Sequence, residues 1–137
     1  MAAAAVRPMA QRTLGSRVRT VLEWAPTQAP PGSTRTAAGM DQAWTALTAS
    51  GTAVAPVVLI GSAPTALECL LDRIDAGGPS ASLIIAMPVG FIGVLASKAR
   101  LAAHHQCQIR LEGTRGGAGL VGAAVNALLR AAVMSSP

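Results

Sequence analysis

Short apolar runs alternate along this chain with turns rich in glycine or proline and with longer amphipathic segments. The runs at 55–60 (APVVLI) and 83–87 (LIIAM) contain no charged or amide residue, which is typical of strands buried on both faces of a sheet. A third strand is predicted at 108–111. The segments that follow the three strands predict helices over residues 65–74, 92–104 and 120–134.

Strand, turn and helix thus repeat three times, which is the signature of βαβ units in a parallel sheet. We therefore predict an α/β fold of three layers, Rossmann-like, with a parallel sheet and helices on both of its faces. Ahead of this unit, Ser33 or Thr34 can cap a further helix over 35–49, and the alternation at 17–23 predicts a short strand. Residues 1–16 are rich in alanine and arginine, and we expect a disordered leader there.

The turns after the predicted strands are the main pointer to function. In parallel α/β sheets, ligands bind at the carboxyl ends of the strands, which here are the turns 61–65, 88–91 and 113–117. Such turns expose backbone N–H groups at helix starts and attract anions. Thr65 adds a hydroxyl, and Arg115 adds a guanidinium that can bind planar oxyanions with two hydrogen bonds. The pattern predicts a seat for carboxylates or phosphates, while turns of this kind also serve simply to join strands to helices.

Familiar catalytic and nucleotide motifs do not explain the chain. No GxGxxG opens the first helix of the βαβ series, and neither a Walker-type GxxxxGK[ST] nor a GxSxG pattern occurs. His104 and His105 are adjacent, so on a helix they point about 100° apart. We expect them and Cys107 to mark a helix end and not a metal site, and we expect Asp72 and Asp75 to lie on a solvated helix face.

Composition narrows the class of protein further. Charged residues make up only 12% of the chain, a fraction low enough to suggest that part of the surface is covered by another subunit. Four of the eleven basic residues lie within the first 22 positions, which contain no acidic residue. The remainder has a net charge near zero and few aromatics, which argues against nucleic-acid binding. Two cysteines without a CxxC pattern favour a reducing, cytoplasmic setting, and no apolar run of about 18 residues predicts a membrane span.

Several motifs, taken in order, resemble the precorrin-8X methylmutase family, over about residues 17–137. They are TRTAA at 34–38, LIGSAPTAL at 59–67, MPVGFIG at 87–93 followed by Ser97-Lys98, GTRGG at 113–117 and AAVNAL at 123–128. On this resemblance residues 17–137 correspond to the C-terminal portion of the family domain, and the N-terminal part of the family fold has no counterpart here.

The resemblance implies an isomerase of corrin-ring (cobalamin) biosynthesis without a cofactor. Such an enzyme moves a methyl group from C-11 to C-12 of precorrin-8X to give hydrogenobyrinate, or acts on the cobalt-containing analogue, and it forms homodimers. The resemblance further implies that substrate is bound by the motif residues of the turns and of the first helix start. These are Thr34, Arg35, Gly61, Ser62, Ala63, Pro64, Thr65, Pro88, Val89, Gly90, Phe91, Arg115, Gly116 and Gly117.

Some positions depart from the family pattern. The family's catalytic histidine, its general acid, lies in the N-terminal part, so no catalytic residue is assigned, and His104 and His105 do not match it. Ser62 stands where the family has asparagine, and Ala96 where it has glutamate. We therefore expect weak turnover or none from this chain. A corrin-binding module without catalysis, or a subunit that pairs with a separate N-terminal half, is the alternative; an unrelated nucleotide-binding domain is disfavoured.

Overall fold

Three parallel strands form the sheet of this computed structural model, which describes residues 2–15, 17–49 and 54–136. The strands are β1 (Val57–Ile60), β2 (Leu83–Ala86) and β3 (Gln108–Arg110), and β2 lies between the other two. Val58 pairs with Ile84, which in turn pairs with Gln108. The predicted parallel sheet is confirmed, with strand bounds within two residues of those expected.

A helix follows every strand, as predicted. The helices are α1 (Ala2–Leu14), α2 (Arg35–Leu47), α3 (Pro64–Asp75), α4 (Val94–Ala102) and α5 (Ala118–Met134). Thr34 caps α2 by accepting a hydrogen bond from the N–H of Ala37 at 3.1 Å. Pro64 occupies the first turn of α3, where its missing N–H costs no helical hydrogen bond.

Alternate side chains of the strands point into two separate cores. Val58, Ile60 and Ile84 pack with α2, α3 and α4 around the fully buried Trp44. On the opposite face, Leu59 and Ile85 pack with α1 and α5. Because a strand places successive side chains on opposite faces, the apolar runs supply both cores at once. The predicted three-layer α/β fold is therefore confirmed.

Only β2 is buried as completely as its sequence indicated. Ile84, Ile85 and Ala86 are at most 1% exposed, whereas Val57 at the start of β1 is 52% exposed. Within the described residues β1 is an edge strand, so it has one neighbouring strand where β2 has two. An apolar run alone does not distinguish a central strand from an edge strand.

The expectation of a disordered leader over 1–16 is not met. Residues 2–14 form α1, which packs along α5. Val6 and Ala10 are buried, and Met9 packs against the same core. This i, i+3, i+4 spacing is that of an amphipathic helix, and it is easily overlooked when most of the surrounding residues are alanine.

The predicted strand at 17–23 is also wrong. Residues 17–20 have no regular structure, and Val21–Glu23 form a single 3₁₀ turn. A capping box explains the turn: Thr20 accepts a hydrogen bond from Leu22, and the Glu23 carboxylate accepts one from the N–H of Thr20 at 3.1 Å. Local hydrogen bonds thus prevail over a weak alternation of apolar residues.

One arginine holds α3 and α4 together. Arg100 contacts Glu68 at 2.5 Å, Asp72 at 2.8 Å and Asp75 at 2.7 Å, and Asp75 also meets His104 Nε2 at 2.7 Å. Asp72 and Asp75 are therefore engaged in ion pairs and not merely solvated. The hydrogen bonds from Arg100 and His104 lower the pKa of Asp75 below its ordinary value of 3.8.

Replacing Asp75 should lower stability in a manner that depends on pH. A carboxylate with a lowered pKa in the folded state stabilises the fold above its unfolded pKa, and this contribution is lost as the pH falls through the folded pKa. We expect Asp75→Asn to lower the melting temperature at pH 7 and the deficit to shrink as the pH falls below about 3.8. Calorimetry of the wild type and the variant from pH 7 to pH 3 measures this difference in melting temperature. Glu112→Gln, at a 76% exposed side chain paired with Arg110, is the control, and a deficit constant with pH would contradict the expectation.

Candidate ligand-binding site

The turns that follow the three strands meet at the carboxyl end of the sheet. The N–H of Gly117 donates to the carbonyl of Met87 at 2.8 Å, and the N–H of Gly90 donates to the carbonyl of Thr114 at 3.1 Å. The first turn reaches the same place, since Gly61 packs directly against the backbone of Ala118. The predicted convergence of the turns is present in the structure.

Glycine is required at two positions of the third turn, residues 113–117. A Cβ added to Gly116 would lie 1.9 Å from the carbonyl oxygen of Met87, closer than any real contact. Gly117 has a φ of +125°, which residues with a side chain rarely adopt. These two glycines let the third turn lie directly on the end of β2.

A buried lysine lies under the third turn. Lys98 of α4 is 2% exposed, and its Nζ donates to the carbonyl oxygens of Gly113 at 2.6 Å and Arg115 at 2.7 Å. Burial lowers the pKa of Lys98, and the nearby charge of Glu112 opposes that shift. The sequence indicates Lys98 only as part of the Ser97-Lys98 motif. The one feature of the sequence that sets Lys98 apart is that it is the sole lysine of the chain.

Three threonine hydroxyls cluster where α2 and α3 begin. Thr34 Oγ1 lies 2.8 Å from Thr65 Oγ1 and 3.1 Å from Thr36 Oγ1. The structure thus joins two of the predicted site residues, Thr34 and Thr65. Thr36 was not predicted as a site residue, although its position two residues after the helix cap Thr34 could have suggested it.

An open groove of about 560 Å³ continues from these hydroxyls along α2 and α3. Its walls include Asp41, Glu68 and Asp72, whose negative charges make the groove unfavourable for a carboxylate. Cys69 also lines it, and burial together with Asp41 and Asp72 raises the pKa of that thiol. The end of the groove that is lined by the threonine hydroxyls is therefore better suited to an anionic ligand than the part lined by the three carboxylates.

The two predicted arginines occupy different situations. Arg35 is exposed, and its Nε donates to the carbonyl of Pro26 at 2.8 Å, which draws it toward the preceding loop. Arg115 is exposed at the third turn, and its guanidinium forms no ion pair within the described part of the chain. Ser62 is also exposed, whereas Ala63 and Pro64 are half-buried in the first turn.

The second turn presents apolar side chains to solvent. Pro88 is buried, but Val89 is 47%, Phe91 86%, Ile92 93% and Leu95 54% exposed. We call these four exposed residues the apolar rim. Apolar groups gathered next to a candidate site indicate a surface that meets another molecule.

The histidines lie away from this site. Helix α4 starts beside the second turn, and its nine residues span about 13 Å. His104 follows α4 and is bonded to Asp75 at the end of α3, so it lies toward the opposite end of the sheet. Within the described residues no group of three or more His, Cys, Asp or Glu side chains could hold a metal ion. No described helix is long and apolar enough to cross a membrane.

A glycine spacing missed in the sequence ends at a glycine that helix packing explains. Residues 117–122 read GAGLVG, a GxGxxG spacing that opens α5 after the third strand. A Cβ on Gly122 would lie 3.2 Å from the side chain of Ala5 in α1, so this glycine allows the two helices to approach. The last glycine of the spacing therefore has a packing reason that involves no nucleotide.

The fold and the site together define a three-layer α/β domain whose candidate ligand-binding groups lie at the carboxyl ends of parallel strands. More specifically, the chain belongs to the precorrin-8X methylmutase family, whose model matches residues 1–131. That match begins at the first residue, ahead of the boundary at 17 expected from the sequence. It includes α1, which agrees with the packing of α1 on α5.

Individual relatives share the family's name. The chain is 40% identical over 124 residues to the cobalt-precorrin-8 methylmutase of Synechocystis sp., covering 90% of this chain and 54% of that protein. It is 50% identical over 74 residues to the precorrin-8X methylmutase of Pseudomonas aeruginosa, covering 53% of this chain and 36% of that protein. The chain therefore spans about half the length, or less, of these relatives.

A solved structure shows the same fold. The precorrin-8X methyl mutase from Thermus thermophilus superposes with a TM-score of 0.80 at 33% identity. The match covers 98% of this chain and 63% of that one. The similarity extends through nearly all of the fold described above.

A methyl group at Gly116 should disrupt the site. We expect Gly116→Ala to lower the free energy of unfolding by about 1–3 kcal/mol, because the third turn must move away from Met87. Gly119→Ala is the matched control: a Cβ there meets nothing within 4 Å, and glycine inside a helix is less stable than alanine by about 0.5–1 kcal/mol. Urea unfolding measures both variants. Equal effects of the two substitutions would contradict the role given to Gly116.

Proposed function

We propose that this chain binds the substrate of an isomerase step in cobalamin biosynthesis, in which a methyl group moves from C-11 to C-12 of precorrin-8X to give hydrogenobyrinate. Membership of the family and the names of the relatives support this class of reaction. The observation that carries the proposal is that the turns bearing the family motifs meet at the carboxyl end of one sheet.

The proposed ligand is a ring that bears several carboxylates, and the site offers matching groups. Arg115 supplies an exposed cation with no ion-pair partner in the described chain. Thr34 and Thr65 supply hydroxyls at two helix starts, where negative charge is favoured.

The proton that starts the methyl shift is proposed to come from a group outside the described site. A general acid must lie within hydrogen-bond reach of the atom that it protonates, about 2.6–3.2 Å between heavy atoms. His104 is engaged with Asp75 toward the opposite end of the sheet, and His105 adjoins it. We therefore propose that this chain alone binds corrin and turns it over slowly or not at all. Corrin binding without catalysis is the second candidate function.

Binding and turnover should be measured separately on the same preparation. Turnover is followed by absorbance with precorrin-8X as substrate and the Pseudomonas aeruginosa relative as a positive control. Binding is followed by titration with hydrogenobyrinic acid. We expect binding with little or no turnover. Turnover at the rate of the control would contradict the location proposed for the acid, and binding of ATP without binding of hydrogenobyrinic acid would contradict the substrate class.

A matched pair of variants tests the role of Arg115. Removing one charged hydrogen-bonding partner of a carboxylate costs about 1.5–3 kcal/mol, so we expect Arg115→Gln to weaken binding about tenfold or more. Arg130→Gln removes the same charge from an exposed position near the far end of α5 and should leave the Kd unchanged. Equal weakening in both variants would show only an effect of net charge.

The apolar rim is proposed to be covered by a second copy of the chain in a homodimer. Support comes from its position beside the site, the exposure of Phe91 and Ile92, and the low fraction of charged residues, which is 12% of the chain. The alternative partner is a separate polypeptide that supplies the N-terminal half of the family fold and covers the exposed start of β1. We propose that the protein acts in the cytoplasm, to which its two free cysteines are suited.

Polar substitutions in the apolar rim should change the oligomeric state. We expect Phe91→Ser with Ile92→Ser to convert a dimer to a monomer, as measured by light scattering coupled to size exclusion. Val133→Ser with Met134→Ser changes two other exposed apolar residues, at the end of α5, and should leave the dimer intact. A wild-type monomer at all accessible concentrations would refute the homodimer.

A further inference from the structure

A second cleft, of about 450 Å³, lies between α1 and residues 17–23 of the segment that follows it. The residues that line this cleft include three arginines and one acid, which are Arg7, Arg17, Arg19 and Glu23. None of them belongs to the three turns of the candidate ligand-binding site. The volume of the cleft is in the range of pockets that hold small molecules, roughly 300–1,000 Å³.

The packing of α1 places the positive charge of the first 22 positions on folded structure. Those positions contain four arginines and no acidic residue. Helix α1 packs along α5, and Val18 packs against the same core. As a result Arg7, Arg17 and Arg19 line one cleft instead of being spread along an extended chain.

Two of the three guanidinium groups are held in place by contacts within the protein. Arg7 donates to the carbonyl of Val18 from Nε at 3.3 Å and from Nη2 at 3.2 Å. Arg19 pairs with Glu23 at 2.7 Å, and its guanidinium lies 4.0 Å from the ring centre of Trp24. Side chains that are already ordered lose less conformational freedom when a ligand binds.

Arg17 supplies a third cation, which is exposed and has neither an ion pair nor a hydrogen bond within the described residues. Glu23, the one acid that lines the cleft, is already engaged by Arg19 and by the N–H of Thr20. Three guanidinium groups and one carboxylate give the cleft a net charge of +2. Like charges gathered in one cleft repel one another, and a doubly charged anion would relieve that repulsion.

We propose that this cleft binds a phosphate group, either free phosphate or the phosphate of a small monoester, at a site separate from the turns of the candidate site. A phosphate monoester carries a charge of about −1.5 to −2 at pH 7, which matches the charge of the cleft. Guanidinium groups bind phosphate oxygens through paired hydrogen bonds. Arg7 and Arg19 form the ordered part of this site, and Arg17 closes on the ligand. The proposal does not depend on the proposed function.

The test uses the full chain labelled with ¹⁵N and titrated at constant ionic strength with inorganic phosphate and with phenyl phosphate. The side-chain Nε–H signals of Arg7, Arg17 and Arg19 should shift saturably, while that of Arg12 stays in place. Equal affinity for the two compounds identifies the phosphate group itself as the ligand, and saturation with phenyl phosphate alone identifies a monoester. Absence of saturable shifts with both compounds overturns the proposal. An equal affinity for succinate, a dianion without phosphate, overturns the ligand class.

A matched pair of arginine variants locates the site. Arg17→Gln should raise the Kd for phenyl phosphate about tenfold, because it removes one charged hydrogen-bond donor. Arg12→Gln removes the same charge from an exposed position of α1 that does not line the cleft, and it should leave the Kd unchanged. Equal weakening in the two variants overturns the proposal, since it would show only an effect of net charge.

A titration with phenyl phosphate in the presence of hydrogenobyrinic acid distinguishes this cleft from the proposed corrin site. An unchanged Kd for phenyl phosphate supports a separate site. Competition between the two compounds, with the same arginine signals shifted by both, overturns the separate site. Because the first titrations contain no corrin, a failure of the proposed function would leave their result intact.

Discussion

The hydrogen bond from Gly117 N–H to the carbonyl of Met87 joins the third turn to the end of β2, and much of the structure depends on that contact. It is possible only because residue 116 lacks a side chain. Helix α5 starts immediately after the bond and covers one face of the sheet, and α1 packs in turn on α5. A displacement at Gly116 would therefore affect the site, the start of α5 and the second core together.

Lys98 illustrates how a costly buried group can be retained in a fold. Desolvation disfavours its charged form and lowers its pKa, while two hydrogen bonds to carbonyl oxygens recover part of that cost. A hydrophobic residue of the same length would fill the space without desolvating a charge. It would leave the carbonyl groups of Gly113 and Arg115 without those hydrogen-bond partners.

The sequence predicted the elements whose signal is local and strong. The run LIIAM and the proline and glycine that flank the helices were enough to place β2, α3 and α5 within a few residues. Helix α1 was missed because its alanine-rich sequence resembles low-complexity chain. The few apolar residues on its buried face can be recognised only from their packing against α5. The strand expected at 17–23 failed because a capping box outweighed a weak alternation.

For the site, the motifs predicted which turns meet but not how they are held. Glycine at 116 could be recognised as part of a motif, yet the reason for it, the carbonyl of Met87, is more than 25 residues away in sequence. The role of Lys98 depends likewise on contacts between α4 and a turn 15 residues further on. Contacts of this kind are set by the packing of the layers and cannot be obtained from local pattern.

The geometry separates two tasks that a methyl-shifting isomerase must combine, which are holding a polyanionic ring and donating a proton. The groups suited to the first task, which are Thr65 and Arg115, lie in turns at the carboxyl end of the sheet. The histidines suited to the second lie at the far end of α4, where Asp75 engages His104. Such a proton would have to cross about the length of that helix, roughly 13 Å, far beyond hydrogen-bond reach. Within the described chain, the groups proposed to bind the ring and the two histidines therefore lie toward opposite ends of α4.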